Sequence, residues 1–213
     1  MPKLLREYVQ QILKEMSPEE IQSVCPGLKP TDRMDAIATA MIAHSTQIRR
    51  TGEPYHTHPI AVAQIISRYY GSDKNACLVG LFHDTFEDAP RKGTATEHEL
   101  SDWIKFAEDK SIDKEKIINA VRALTHAPGT DYTGYLLNLA GDPSHPLPLR
   151  VKLADMLHNV TSGGLKRSSW EKYTSAINSL EEKSGGVPNG ITGEHWQSLK
   201  NALIDSEPPQ EAP

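Results

Sequence analysis

The sequence predicts an all-α protein. Apolar residues recur at helical spacing along nearly the whole chain, Gly- and Pro-rich stretches punctuate the periodic segments, and no alternating β-rich run occurs. The first segment, "PKLLREYVQQILKEM", sets Leu4, Leu5, Tyr8, Val9, Ile12 and Leu13 on one stripe. "SPEE" at 17–20 has the pattern of a capping box, with Ser17 as cap and Glu20 three residues on. Further helices are expected at about 31–47, 59–70, 73–88, 96–109, 113–126, 131–140, 148–161, 168–183 and 191–205. The breaks fall at "CPGLKP", "TGEPY", "APRKG", "APGT", "GDPSHPLP" and "SGGVPNG". No internal repeat is present. The Pro/Glu-rich end carries too little apolar surface to pack, so residues 208–213 are expected to be a disordered tail.

At 213 residues, 38% hydrophobic and 24% charged, the chain suits one soluble domain with one core, expected over residues 1–207. A net charge of −5 gives no global pull toward nucleic acid, so no polymer partner is expected. Cys25 and Cys77 stand in neither metal nor disulfide spacing, and no apolar leader follows Met1. The expectation is a reduced, cytoplasmic protein with no membrane anchor, because no apolar run approaches the roughly 18 residues of a span.

The chemistry concentrates in three stretches. "GLFHDTFED" at 80–88 places His83 and Asp84 within an apolar helical pattern, with Glu87 and Asp88 one turn on. Acidic groups near a helix C-terminus meet the negative end of its dipole, so helix propensity does not explain them, whereas a divalent cation would. Alone, a His-Asp pair is more often structural. Partners elsewhere change that. In "GEPYHTHPIAVAQII" at 52–66, His58 precedes Pro59. That disfavours the α-region at His58, which is expected at the junction, with Pro59 as first helical residue. In "VKLADMLHN" at 151–159, Asp155 shares a helix face with Asn159. Two histidines and two aspartates form a mixed N/O set suited to Mn²⁺, Fe²⁺ or Zn²⁺, with positions left for water and substrate.

Taken in order, "RRTGEPYHTHPIAVAQI", "LFHDTFED" and "VKLADMLHN" resemble the successive signatures of HD-superfamily alarmone hydrolases, the hydrolase halves of RelA/SpoT proteins and their small stand-alone relatives. The match covers roughly residues 36–165, within a motif-bearing core at about 31–165 followed by C-terminal helices at 166–207. The resemblance implies a single HD-type bundle of about ten helices in which His58, His83, Asp84 and Asp155 hold a divalent metal, usually Mn²⁺, with Fe²⁺, Zn²⁺ or Co²⁺ as alternatives. It makes Glu87 and Asp88 the catalytic acidic pair. It also makes Arg49, Arg50, Thr51, Asn159 and Ser162 substrate contacts, and leaves His56 as a polar loop residue. The implied reaction is hydrolysis at the 3′ side of (p)ppGpp or an adenine analogue, releasing pyrophosphate.

Residue chemistry is compatible with that reading. Crowding of Glu87 and Asp88 is expected to raise one pKa and suit it to acid–base work. An Arg guanidinium stacks on a purine face better than a compact ammonium. Departures such as Phe82 before the His-Asp pair and "HNVTSGG" after Asp155 lie around the nucleotide pocket, so base identity stays open. Two alternatives stand beside it: a phosphohydrolase of the same fold acting on another nucleotide, such as an NADPH 2′-phosphatase or a nucleotidase, and a catalytically idle nucleotide-sensing module. Beyond the last motif no synthetase domain is expected. His44 reads as a helix-end residue behind the Arg pair. His98, His126, His145 and His195 read as surface groups, and Trp103, Trp170 and Trp196 as core.

Overall fold

The computed structural model describes residues 3–86, 109–126, 129, 131–163 and 165–209. Within them the chain is helical, and its only extended pairing is an isolated antiparallel bridge between Ile48 and Pro54. It divides into two compact units, Met1–Thr125 and His126–Pro213. The expected helix at 96–109 and Trp103 fall outside the described residues, apart from Asp109.

The first unit holds α1 (Lys3–Glu15), α2 (Pro18–Ser23), α3 (Pro30–Ala43), α4 (Thr57–Tyr70), α5 (Lys74–Phe82) and α6 (Lys114–Leu124). Its starts are written in the side chains. Ser17 accepts from the Glu20 amide at 3.1 Å while Glu20 reaches back to the Ser17 amide at 2.7 Å, the reciprocal bonding read from "SPEE". Asp73 caps α5 through the Ala76 amide, and Asp113 caps α6 through that of Lys116. The α5 helix is apolar all round, as a central helix must be, and packs against α3, α4 and α6. Its Leu78, Val79, Leu81 and Phe82 are buried with Ile37, Met41, Val62, Ile66, Ile117 and Val121. The α4–α5 approach is close because Gly80 has no side chain: a Cβ there would lie 3.3 Å from the Ala63 Cα.

Cys25 and Cys77 correct the expectation of reduced thiols. They form a disulfide that joins the turn after α2 to the middle of α5. Their separation of 52 residues carries no signal in sequence, and only the tertiary path brings the two Cα atoms to 5.4 Å. Arg33 secures the same turn by donating to the carbonyls of Cys25, Pro26 and Leu28.

The second unit holds α7 (Tyr132–Leu139), α8 (Leu147–Thr161), α9 (Arg167–Ser184) and α10 (Gly193–Asp205). Here α7 packs on α8 and α9, and α8 on α10. Leu136, Leu149, Leu153, Met156, Ile177, Leu180, Trp196 and Leu199 are among its buried residues. Trp170 is half-buried, and its indole N–H donates to the Leu203 carbonyl at 2.7 Å, tying α9 to α10. Two histidines depart from their expected surface placement. His195 is fully buried on α10, and the half-buried His126 ring lies against Tyr132 and Tyr135. No helix among the described residues is long and apolar enough to cross a membrane.

Candidate metal centre

Three of the expected ligands meet in the first unit, where α4 begins and α5 ends. His58, His83 and Asp84 are brought together with one donor atom each inside a 4.8 Å group. His58 Nε2 lies 3.2 Å from His83 Nε2, and Asp84 Oδ2 lies 3.1 Å from His83 Nε2 and 3.5 Å from His58 Nε2. Ligand atoms about 2.1 Å from a tetrahedral zinc-type ion stand about 3.4 Å apart, so spacings of this size suit donors on one cation. Both histidines are buried, and two imidazole nitrogens with one carboxylate oxygen suit Zn²⁺, Fe²⁺ or Mn²⁺. The residues fit a divalent ion.

Local backbone chemistry sets the pose of each. The α5 helix stops at Phe82, with His83 as its C-cap, so the His-Asp pair lies just past the helix and not inside it as the periodicity suggests. His83 Nδ1–H donates to the Gly80 carbonyl at 2.8 Å, an acceptor left open by the helix end. That bond fixes the Nδ1–H tautomer and leaves the Nε2 lone pair facing His58 and Asp84. His58 corrects another expectation. It lies inside the first turn of α4, which starts at Thr57, and Pro59 is the third helical residue. First-turn amides have no intrahelical acceptor, so proline at this position costs α4 no hydrogen bond. His56 lies in the turn before α4, as its N-cap, and is buried there; burial depresses its pKa.

Behind these donors sits Tyr55, whose hydroxyl donates to Asp84 Oδ2 at 2.7 Å. Its ring lies 4.9 Å from that of His44 and 5.7 Å, edge-on, from that of His58. His44 caps α3 at its C-terminal end, as expected, and donates from Nδ1 to Gln47 Oε1 at 3.0 Å. Burial lowers the His44 pKa to about 4, against a smaller opposing pull from Asp84. Arg49, Arg50 and Thr51 occupy the loop between Gln47 and Tyr55, closed by bonds from the Arg49 amide to Glu53 and the Tyr55 amide to Gln47. Arg50 and Thr51 are exposed and Arg49 is half-buried. Glu87 and Asp88 lie outside the described residues, as does His98.

Asp155, Asn159 and Ser162 belong to the second unit. Asp155 is buried on α8, and both its oxygens are engaged there: Asn159 donates to Oδ1 at 2.6 Å and Lys152 to Oδ2 at 2.8 Å. Burial works against the Lys152 ammonium, but Asp155, Tyr132 and Tyr135 outweigh it and hold the pKa well above the ordinary lysine value. Ser162 is the C-cap of α8. Tyr55 and Lys152 are not among the site residues expected from the sequence. Lys152 stands three residues before Asp155 on one helix face, a spacing that signals such a pair. The Tyr55–Asp84 contact spans 29 residues and has no local signal.

No family model matches the chain. Among characterised proteins it is similar to a probable GTP pyrophosphokinase of Mycobacterium leprae, with 32% identity over 117 residues, 55% of this chain and 14% of that protein. The guanosine-3′,5′-bis(diphosphate) 3′-pyrophosphohydrolase of Haemophilus influenzae is 32% identical over 127 residues, 59% of this chain and 18% of that enzyme. A GTP pyrophosphokinase of Brucella ovis is 30% identical over 154 residues, 70% of this chain and 19% of the relative. The chain thus spans less than a fifth of the length of these relatives. They are RelA/SpoT-family proteins, and the similarity to them covers part of this chain.

Proposed function

We propose that this chain is a metal-dependent hydrolase that removes the 3′-pyrophosphate from (p)ppGpp or its adenine analogue. The observation that carries the reading is the convergence of His58 Nε2, His83 Nε2 and Asp84 Oδ2 at spacings of 3.1 to 3.5 Å. The similarity to a 3′-pyrophosphohydrolase supports the choice of substrate. By the resemblance Asp155 is the fourth ligand, and metal titration of Asp155→Ala tests it. Mn²⁺ is the proposed ion.

When bound, such an ion supplies an acidified water and polarises a phosphoryl oxygen. His83 would present a lone pair to it in a fixed tautomer, and the Tyr55 hydroxyl, donating to Oδ2, holds the Asp84 carboxylate in place. Glu87 and Asp88 take the acid–base role, orienting the attacking water and receiving its proton. Arg49 and Arg50 carry cationic planes suited to a purine face and its phosphates. Thr51, Asn159 and Ser162 complete the proposed substrate contacts.

The test is turnover. Purified protein with Mn²⁺ is offered ppGpp, pppGpp, pApp, NADPH and deoxynucleotides, and products are separated by ion-exchange chromatography. Release of pyrophosphate from a 3′-diphosphate is the expected result. Phosphate release from NADPH alone would transfer the site to a phosphatase of the same fold, and no turnover of any compound would refute an enzymatic role.

A further inference from the structure

We infer that Tyr55 is a positioning residue of the metal centre, fixing which lone pair of Asp84 Oδ2 faces the cation. The inference rests on the proposed function, because it needs a metal between His58, His83 and Asp84. It assigns a role to a side chain that is itself no ligand.

The argument begins with one atom. Asp84 Oδ2 is the oxygen that approaches both imidazoles, at 3.1 and 3.5 Å, and it is also the oxygen that accepts the Tyr55 hydroxyl at 2.7 Å. A carboxylate oxygen has two in-plane lone pairs. With the phenol on one, the other is left for the side where His58 and His83 point. Without the phenol, rotation about the Asp84 side chain would trade one lone pair, or one oxygen, for the other.

The phenol can impose this because two buried rings and a backbone bond hold it, although Tyr55 itself is only half-buried. Its ring is bracketed by His44 and His58, at 4.9 and 5.7 Å between centroids, and both histidines are buried. Its backbone amide donates to the Gln47 carbonyl at 2.9 Å, and Gln47 is bonded through its side chain to His44. The path His44–Gln47–Tyr55–Asp84 therefore runs from the end of α3 to the end of α5 without leaving the first unit. The same closure pins the loop that carries Arg49 and Arg50, so one tyrosine terminates the arginine loop and orients a ligand carboxylate. Hydrogen-bond partners of metal ligands contribute about 10–100-fold in affinity in other metalloproteins.

Tyr55→Phe removes the hydroxyl and keeps the ring between the two histidines. Three measurements on the full chain test the inference: Mn²⁺ affinity by calorimetric titration, thermal melting without metal, and the visible absorption of the Co²⁺-loaded protein. The expected result is affinity about 10–100-fold weaker, a metal-free melting temperature within experimental error of the parent, and a displaced Co²⁺ band. Affinity within twofold of the parent and an unchanged Co²⁺ band would overturn the inference and leave the proposed function standing. A metal-free melting temperature that falls in step with affinity would also overturn it, since the hydroxyl would then be structural. A parent protein that binds neither Mn²⁺ nor Co²⁺ would defeat the proposed function, and this inference with it.

Discussion

At Asp84 a tyrosine and two histidines converge on one carboxylate oxygen. Asp84→Ala is expected to abolish both Mn²⁺ binding and turnover, which equilibrium dialysis and a nucleotide assay read separately. Glu87→Gln should keep the metal and depress turnover by about 10²-fold or more, the scale of a general acid–base contribution. Two buried histidines give a pH prediction of their own. Burial lowers the pKa of His44 and of His195 to about 4 from an ordinary 6.5, so in the folded protein both stay neutral to lower pH than in the unfolded chain. Their contribution to stability is complete above pH 6.5. It is lost as pH falls toward 4, by about 3 kcal/mol for each group. Urea midpoints between pH 7.5 and 4.5 should drop accordingly, and His195→Leu should show the shallower fall.

At the scale of elements, the metal centre is a product of how α4 meets α5. The two helices close on each other over Gly80, where a Cβ would press on the Ala63 backbone at 3.3 Å. Alanine has the better helix propensity by up to about 1 kcal/mol. Overpacking against backbone costs about 1–3 kcal/mol, so it should win. Gly80→Ala is expected to destabilise the protein by about 1 kcal/mol in urea titration and to weaken Mn²⁺ binding, because α4 carries His58 and α5 ends at His83. The elements themselves were legible from periodicity: expected spans such as 59–70, 148–161 and 168–183 fall within a residue or two of α4, α8 and α9. Their ends were less so. The apolar run through Phe82 hides the fact that the helix stops there, since the side-chain bond from His83 to the Gly80 carbonyl replaces the next backbone bond. His195 was unreadable for a related reason: it occupies a buried face of α10, and a lone histidine in sequence does not reveal which face it takes.

At the scale of the whole molecule, the three signature blocks were readable because each is local, and two of them supply the donors that meet in the first unit. The link between Cys25 and Cys77 was not readable, because nothing near either residue encodes a partner 52 positions away. Closing a loop of that length is worth about 4 kcal/mol on the chain-entropy model. Thiol treatment is therefore expected to lower the melting temperature by many degrees, and Cys25→Ser/Cys77→Ser should melt at the reduced value with or without thiol. One end of that link is anchored in α5, six residues ahead of His83. A preparation handled in thiol and one handled in air are consequently covalently different molecules, distinguishable by gel mobility without reductant. Catalytic constants from the two belong on separate scales until the redox history of each batch is known.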